Sequence, residues 1–155
     1  MNIEQLIDYL KSHEDFTNRV CSWIRQDPVP ASYSPFPDHL DGRIVGVYRA
    51  RGIERLYSHQ REACDAVRRG EDIVVVTPTS SGKTLCYNLP VLDSMARNPD
   101  ERALYVFPTK ALSQDQLSEL HEVIAETGLE IKTYTFDGDT PNSARKAIRA
   151  AGNIV

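Results

Sequence analysis

The sequence predicts an α/β fold: a parallel sheet flanked by helices, left incomplete and preceded by a short helical extension. Three observations predict it. From residue 73 onward, short apolar runs rich in β-branched residues alternate with stretches of helical periodicity, the pattern of parallel strands joined by crossover helices. A proline-dense run at 26–37 sets the first residues apart from that alternation. The chain stops at Gly152-Asn153-Ile154-Val155, an apolar entry into a further strand.

Taken in order, Ile3, Leu6, Ile7 and Leu10, then Val20, Trp23 and Ile24, fall at helical spacing with a break around Ser12 to Asp15, so two short helices are expected within 1–27. Residues 28–37 belong to the run QDPVPASYSPFP, which holds four prolines in twelve residues and reads as an extended linker without regular structure. The main body, 38–155, opens with a helix capped by Asp38 or Asp41 and striped by Leu40, Ile44 and Val47, ending near Gly52. A second runs from Ser58 through Ala63, Ala66 and Val67 to Gly70. Strands are expected at 73–76, 103–107 and 131–136, with another beginning at 154–155. Between them lie helices after residue 83, around Leu112, Leu117, Leu120 and Ile124, and over 141–150.

At 155 residues and 17.5 kDa, a chain that closes a core should bury roughly 70% of its unfolded surface, so no disulfide or structural metal is needed. Cys21, Cys64 and Cys86 are odd in number and lack a C-x-x-C pair, which suggests reduced thiols. No uncharged stretch exceeds ten residues, whereas a membrane span needs about 20; with no secretory signal at the N-terminus, a cytoplasmic protein without a membrane partner is expected. The net charge of −4 argues against binding nucleic acid by bulk attraction. Charge is uneven, however: residues 43–69 carry seven arginines, and 111–139 carry seven acids against Lys132 alone. Most of these side chains read as solvated helix faces, although local patches can still track a phosphate backbone.

The chemistry begins at Thr77-Pro78-Thr79-Ser80-Ser81-Gly82-Lys83-Thr84, directly between a predicted strand and a predicted helix. Small residues there let the backbone N–H groups of Thr79, Ser80, Ser81 and Gly82 turn inward around a β-phosphate, and the following helix adds its positive end. Lys83 would bridge β- and γ-phosphates, and the Thr84 hydroxyl would ligate Mg²⁺. The loop departs from G-x-x-x-x-G-K-[ST] in carrying Thr77 at the first position. Upstream, Gln60 offers a carboxamide that can accept from the adenine amino group while donating to the adjoining ring nitrogen, selecting ATP over GTP. Leu56 or Tyr57 would wall the ring. His59 reads as a surface or packing residue.

Together these segments resemble the first RecA-like (P-loop NTPase) domain of superfamily 2 helicases, of the DEAD/DEAH-like kind: LYSHQ as the Q motif, TPTSSGKTLCYNLPVL as motif I, ALYVFPTKALSQDQ as motif Ia, and FDGDTP as the turn before motif Ib. The sequence is similar in particular to the mitomycin repair factor A family of DNA helicases, and the resemblance covers about residues 28–155, SYSPFPDHL included. It implies that Gln60 reads adenine, that Gly82, Lys83 and Thr84 hold the phosphates and Mg²⁺, and that Pro108, Thr109 and Lys110 face a nucleic-acid strand. Thr109 also reads as a helix N-cap, and the two roles are compatible. Gly138 and Thr140 would offer contacts to the same strand, while Asp137 and Asp139 shape the turn. Arg145, Lys146 and Arg149 are either a solvated face or added attraction.

The resemblance further implies an N-terminal piece of an ATP-dependent helicase acting on DNA in repair, with single-stranded or tailed DNA favoured over RNA. The carboxylates of a D-E-x-x motif and the remaining helicase domains would lie downstream, so the segment alone is expected to be inactive; Asp100-Glu101 precede their strand and sit at the wrong end of the sheet to serve. Two readings stand beside this one, a DEAD-box-like RNA remodeler and a non-catalytic nucleotide-binding fragment. A small-molecule P-loop kinase would leave Gln60 and the segments at 107–114 and 136–141 without work.

Overall fold

The computed structural model describes residues 2–155, which separate into two compact units that meet at residues 31 and 32. In the first, α1 (Ile3–Ser12) opens with a reciprocal cap in which the Gln5 amide donates to Asn2 Oδ1 at 2.9 Å and the Asn2 amide to Gln5 Oε1 at 3.0 Å. The helix breaks at His13 and resumes as the single turn α2 (Glu14–Thr17), inside the expected break; the second helix expected over Val20, Trp23 and Ile24 is not formed, and those residues carry no regular structure. Neither α1 nor α2 has a buried residue. Phe16 packs on Trp23 with ring centroids 5.9 Å apart, and Lys11 Nζ lies 4.9 Å from the Trp23 ring.

In the second unit the proline-dense run is not wholly irregular. Tyr33–Ser34 (β1) pairs antiparallel with Leu56–Tyr57 (β2), Tyr33 opposite Tyr57. Between them lies α3 (Gly42–Ala50), whose N-cap is Asp41, accepting from the Arg43 amide at 2.9 Å. Helix α4 (Ser58–Arg68) follows β2 without a gap and ends at Gly70, whose φ of +77° suits a residue without Cβ. Helix α5 (Lys83–Arg97) starts from Gly82 and contains Pro90; α6 (Lys110–Thr127) is capped by Thr109, which accepts from the Leu112 amide, and ends at Gly128; α7 is Asn142–Ala151.

The core lies among α3, α4, α5 and α6, where Ile44, Leu56, Leu89, Leu92, Leu120 and Val123 are sealed from solvent. A buried polar tie reinforces it. Asp93 Oδ1 accepts the Asp41 amide at 2.8 Å and its other oxygen pairs with Arg97, joining the start of α3 to α5. Cys64 and Cys86 are buried free thiols, and burial pushes the Cys64 thiol up to about 12, leaving it protonated.

The predicted strands are realised in part. Residues 153–155 lie between 103–105 and 132–134 in parallel register, with Ile154 bridged to both Ala103 and Thr133. The Tyr105 amide donates to the Val155 carbonyl at 2.7 Å, and the Tyr134 amide to the Ile154 carbonyl at 3.0 Å. These contacts form isolated bridges rather than long ladders. Residues 73–76 were expected to be a strand, yet they make no ladder bond among the described residues. β-Branched side chains favour extended backbone, but a ladder also needs a neighbour, and no described segment pairs with this one. Val74 is 90% exposed, Val76 89%, Leu104 75% and Val106 82%.

Candidate nucleotide and nucleic-acid sites

The loop at 77–84 is held by hydrogen bonds within it and by others from α4. Lys83 Nζ reaches back to the carbonyls of Thr77 at 2.9 Å and Pro78 at 2.7 Å, and Thr77 Oγ1 shares a hydrogen bond of 2.6 Å with Ser81 Oγ. Ser80 holds φ +60° and Gly82 φ +71°, two left-handed residues flanking Ser81. Thr79 and Ser80 are exposed.

Two consecutive residues of α4 grip the other side of the loop. Gln60, only 3% exposed, donates Nε2 to the Gly82 carbonyl at 2.8 Å while its Oε1 accepts from the Tyr57 amide at 2.8 Å. His59 Nε2 lies 3.1 Å from the Ser81 carbonyl oxygen. A cavity of about 550 Å³ opens beside them, walled by Tyr33, Ile53, Arg55, Tyr57 and Gln60 and bounded by Ser80 and Gly82. Its aromatic wall is layered: the Arg55 guanidinium sits 4.9 Å from the Tyr33 ring, Tyr33 stacks on Tyr57 at 5.2 Å, and Tyr57 on His59 at 5.7 Å.

Of the two residues offered as a wall for an adenine ring, Tyr57 lines this cavity and Leu56 does not. Leu56 is 0% exposed and belongs to the core, because alternation along β2 turns it inward. Tyr33 and Arg55 were not foreseen. The only trace of Tyr33 in the sequence is an aromatic residue inside a proline-rich run, and pairing of β1 with β2 brings it to the site.

Thr84, in the first turn of α5, donates its hydroxyl to Gln116 Oε1 at 3.2 Å, and Gln116 also accepts from the Tyr87 hydroxyl at 2.8 Å. Gln116 thus links the loop's helix to α6, a role that nothing in the sequence flagged. Among the described residues, no group of three or more His, Cys, Asp or Glu side chains could hold a metal ion.

Pro108, Thr109 and Lys110 are exposed at the start of α6 and meet the turn that carries Gly138 and Thr140. Lys110 pairs with Asp139 and lies 3.8 Å from Asp137. Its hydrogen bond with Asp139 raises the Lys110 pKa, and the Asp139 amide donating to the Asp137 carboxylate lowers that of Asp137. Thr140 Oγ1 accepts from the Asp137 amide at 2.9 Å, and Gly138 has open space where a Cβ would stand. Arg145 holds the turn from α7, donating to the carbonyls of Thr140 at 2.8 Å and Asp137 at 2.9 Å with its guanidinium over Phe136. Arg145 is therefore spent on the turn rather than free on a solvated face.

Among the described residues no helix is long and apolar enough to cross a membrane. Compared with known proteins, residues 57–155 match the DEAD/DEAH box helicase family model. The chain is 51% identical, over 99% of its length, to the uncharacterized ATP-dependent helicase YprA of Bacillus subtilis, and 33% identical to the ATP-dependent helicase hrq1 of Schizosaccharomyces pombe, also over 99%. It superposes on the crystal structure of the DUF1998 helicase MrfA bound to DNA and AMPPNP with a TM-score of 0.90, at 50% identity over the whole chain. The chain spans 20% of YprA, 15% of hrq1 and 21% of the MrfA chain. The partial sheet, the loop between residue 76 and α5, and these likenesses agree on an incomplete RecA-like domain, and the chain belongs to the DEAD/DEAH box helicase family.

Proposed function

We propose that this segment binds ATP with Mg²⁺ and one strand of a nucleic acid, as part of a helicase that couples ATP hydrolysis to movement along DNA in repair. The observation that carries the reading is the adjacency of the aromatic cavity, Gln60 and the Gly82–Lys83 loop. A base enters against Tyr57 and Tyr33 while its phosphates meet the amides at the start of α5. The Gln60 carboxamide exchanges its present partners for the adenine edge, and Lys83 leaves the Thr77 and Pro78 carbonyls for the β- and γ-phosphates. The chain contributes a single hard oxygen for the cation, the Thr84 hydroxyl, which suits an ion otherwise held by phosphates and water. When bound, Mg²⁺ neutralises charge on the phosphate oxygens.

On the nucleic-acid side, the α6 N-terminus, Thr109 and Lys110 take a backbone phosphate, and Gly138 and Thr140 take the neighbouring one. DNA is favoured over RNA because the MrfA structure at 50% identity holds DNA. A reducing cytoplasm suits the three free thiols.

In the full-length protein, Lys83→Ala is expected to abolish ATP hydrolysis while single-stranded DNA still binds. Retained hydrolysis would overturn the assignment. Stimulation of hydrolysis by DNA and not by RNA of the same sequence is expected, and the reverse would favour an RNA remodeler.

A further inference from the structure

We infer that His59 is a positioning residue for the phosphate loop, fixing the direction in which the Gly82 amide points; this rests on the reading of that loop as a nucleotide phosphate seat. The Ser81 carbonyl can only accept, so the His59 nitrogen 3.1 Å away, Nε2, carries the proton and donates. In a planar trans peptide the C=O and the N–H point in opposite directions. Pinning the Ser81 carbonyl toward α4 therefore turns the Gly82 N–H away from α4, toward the loop's open side. Gln60 does the same one residue on, since the Gly82 carbonyl it holds at 2.8 Å shares a peptide with the Lys83 N–H. The Ser81 and Gly82 carbonyls are thus turned toward α4, and the Gly82 and Lys83 amides are left for an anion.

Two features show that the contact has work to do. Ser80 and Gly82 both hold positive φ, and a non-glycine residue in that region persists only where its surroundings over-determine it. The imidazole is also held in plane. It lies nearly parallel to the Tyr57 ring, at 11° and 5.7 Å between centroids, and Tyr57 is itself stacked on Tyr33 and anchored by the β1–β2 pair. His59 thus joins the wall of the base cavity to the phosphate loop, one residue away from the glutamine assigned to the base.

The test uses the full-length protein and three substitutions. His59→Ala removes both stack and donor, His59→Phe keeps the stack alone, and His59→Gln keeps an N–H donor alone. For Ala and Phe, the KM for ATP and the inhibition constant for ADP are expected to rise about five- to tenfold, the effect of one lost hydrogen bond, with the change falling on KM more than on kcat. In His59→Phe, which keeps the stack, the inhibition constant for adenosine, which has no phosphate, is expected to stay where it is. His59→Gln is expected to recover most of the loss. If His59→Phe behaves as the unsubstituted protein, or if adenosine and ADP weaken together in that variant, His59 does not position the phosphate donors and the inference falls. Absence of ATP turnover in the unsubstituted protein overturns the nucleotide reading itself, which separates the two failures.

Discussion

Gly82 shows how tightly one residue can be specified. Its φ is +71°, and a Cβ placed on it would stand 2.5 Å from Gln60 Nε2. Gly82→Ala therefore carries a left-handed penalty of roughly 1–2 kcal/mol and pushes the carboxamide off the Gly82 carbonyl. ATP affinity in the full-length protein is expected to fall by about tenfold or more, measured by equilibrium titration, with DNA binding kept; unchanged affinity would mean that the loop is held by other means. Gln60, Gly82, Lys83 and Thr84 stood out in the sequence by their motif spacing, and the structure brings Gln60, Gly82 and Lys83 together around the loop. His59 did not, since a single histidine reads equally well as packing, and only its 3.1 Å approach to Ser81 distinguishes it. Tyr33 and Gln116 escaped for a related reason: each reaches the site through a contact distant in sequence.

At the scale of elements, helices were easier to read than strands. Asp41 and Thr109 as caps, and Gly70 as a stop, act locally and leave local marks. The two-residue strand β1 leaves none, and residues 73–76 show that a valine run needs a partner before it becomes a ladder. The junction of α6 with the turn before α7 supports a prediction of its own. Lys110 is paired with Asp139, a fully hydrated pair that a strand phosphate can replace. Lys110→Ala is expected to weaken single-stranded DNA binding and to flatten the slope of log affinity against log salt by about 0.7. Asp139→Asn should act oppositely, tightening binding by no more than about fivefold. Anisotropy titrations across a salt series measure both; an unaltered slope for Lys110→Ala would remove Lys110 from the strand path.

Over the whole molecule, the fold class was legible from the alternation of elements, and the sheet's incompleteness follows from which neighbours are present. Val74, Val76, Leu104 and Val106 are all strongly exposed, and large apolar exposure of this kind works against a stable isolated domain. The 155-residue segment by itself is expected to bind an apolar dye and to sediment as a mixture of sizes; a sharp, reversible thermal transition would contradict this. The β1–β2 pair bears on a practical choice, where to cut the gene when a minimal ATP-binding unit is wanted. A boundary drawn from sequence falls at Asp38, past the last proline of the lead, and keeps every residue of the phosphate loop. It also discards Tyr33, half of the aromatic wall and the partner that fixes Tyr57. A full-length protein trimmed to begin at Asp38 should bind ATP several-fold more weakly than one trimmed to begin at Ser32, so the first productive cut site lies inside the stretch that looks most dispensable.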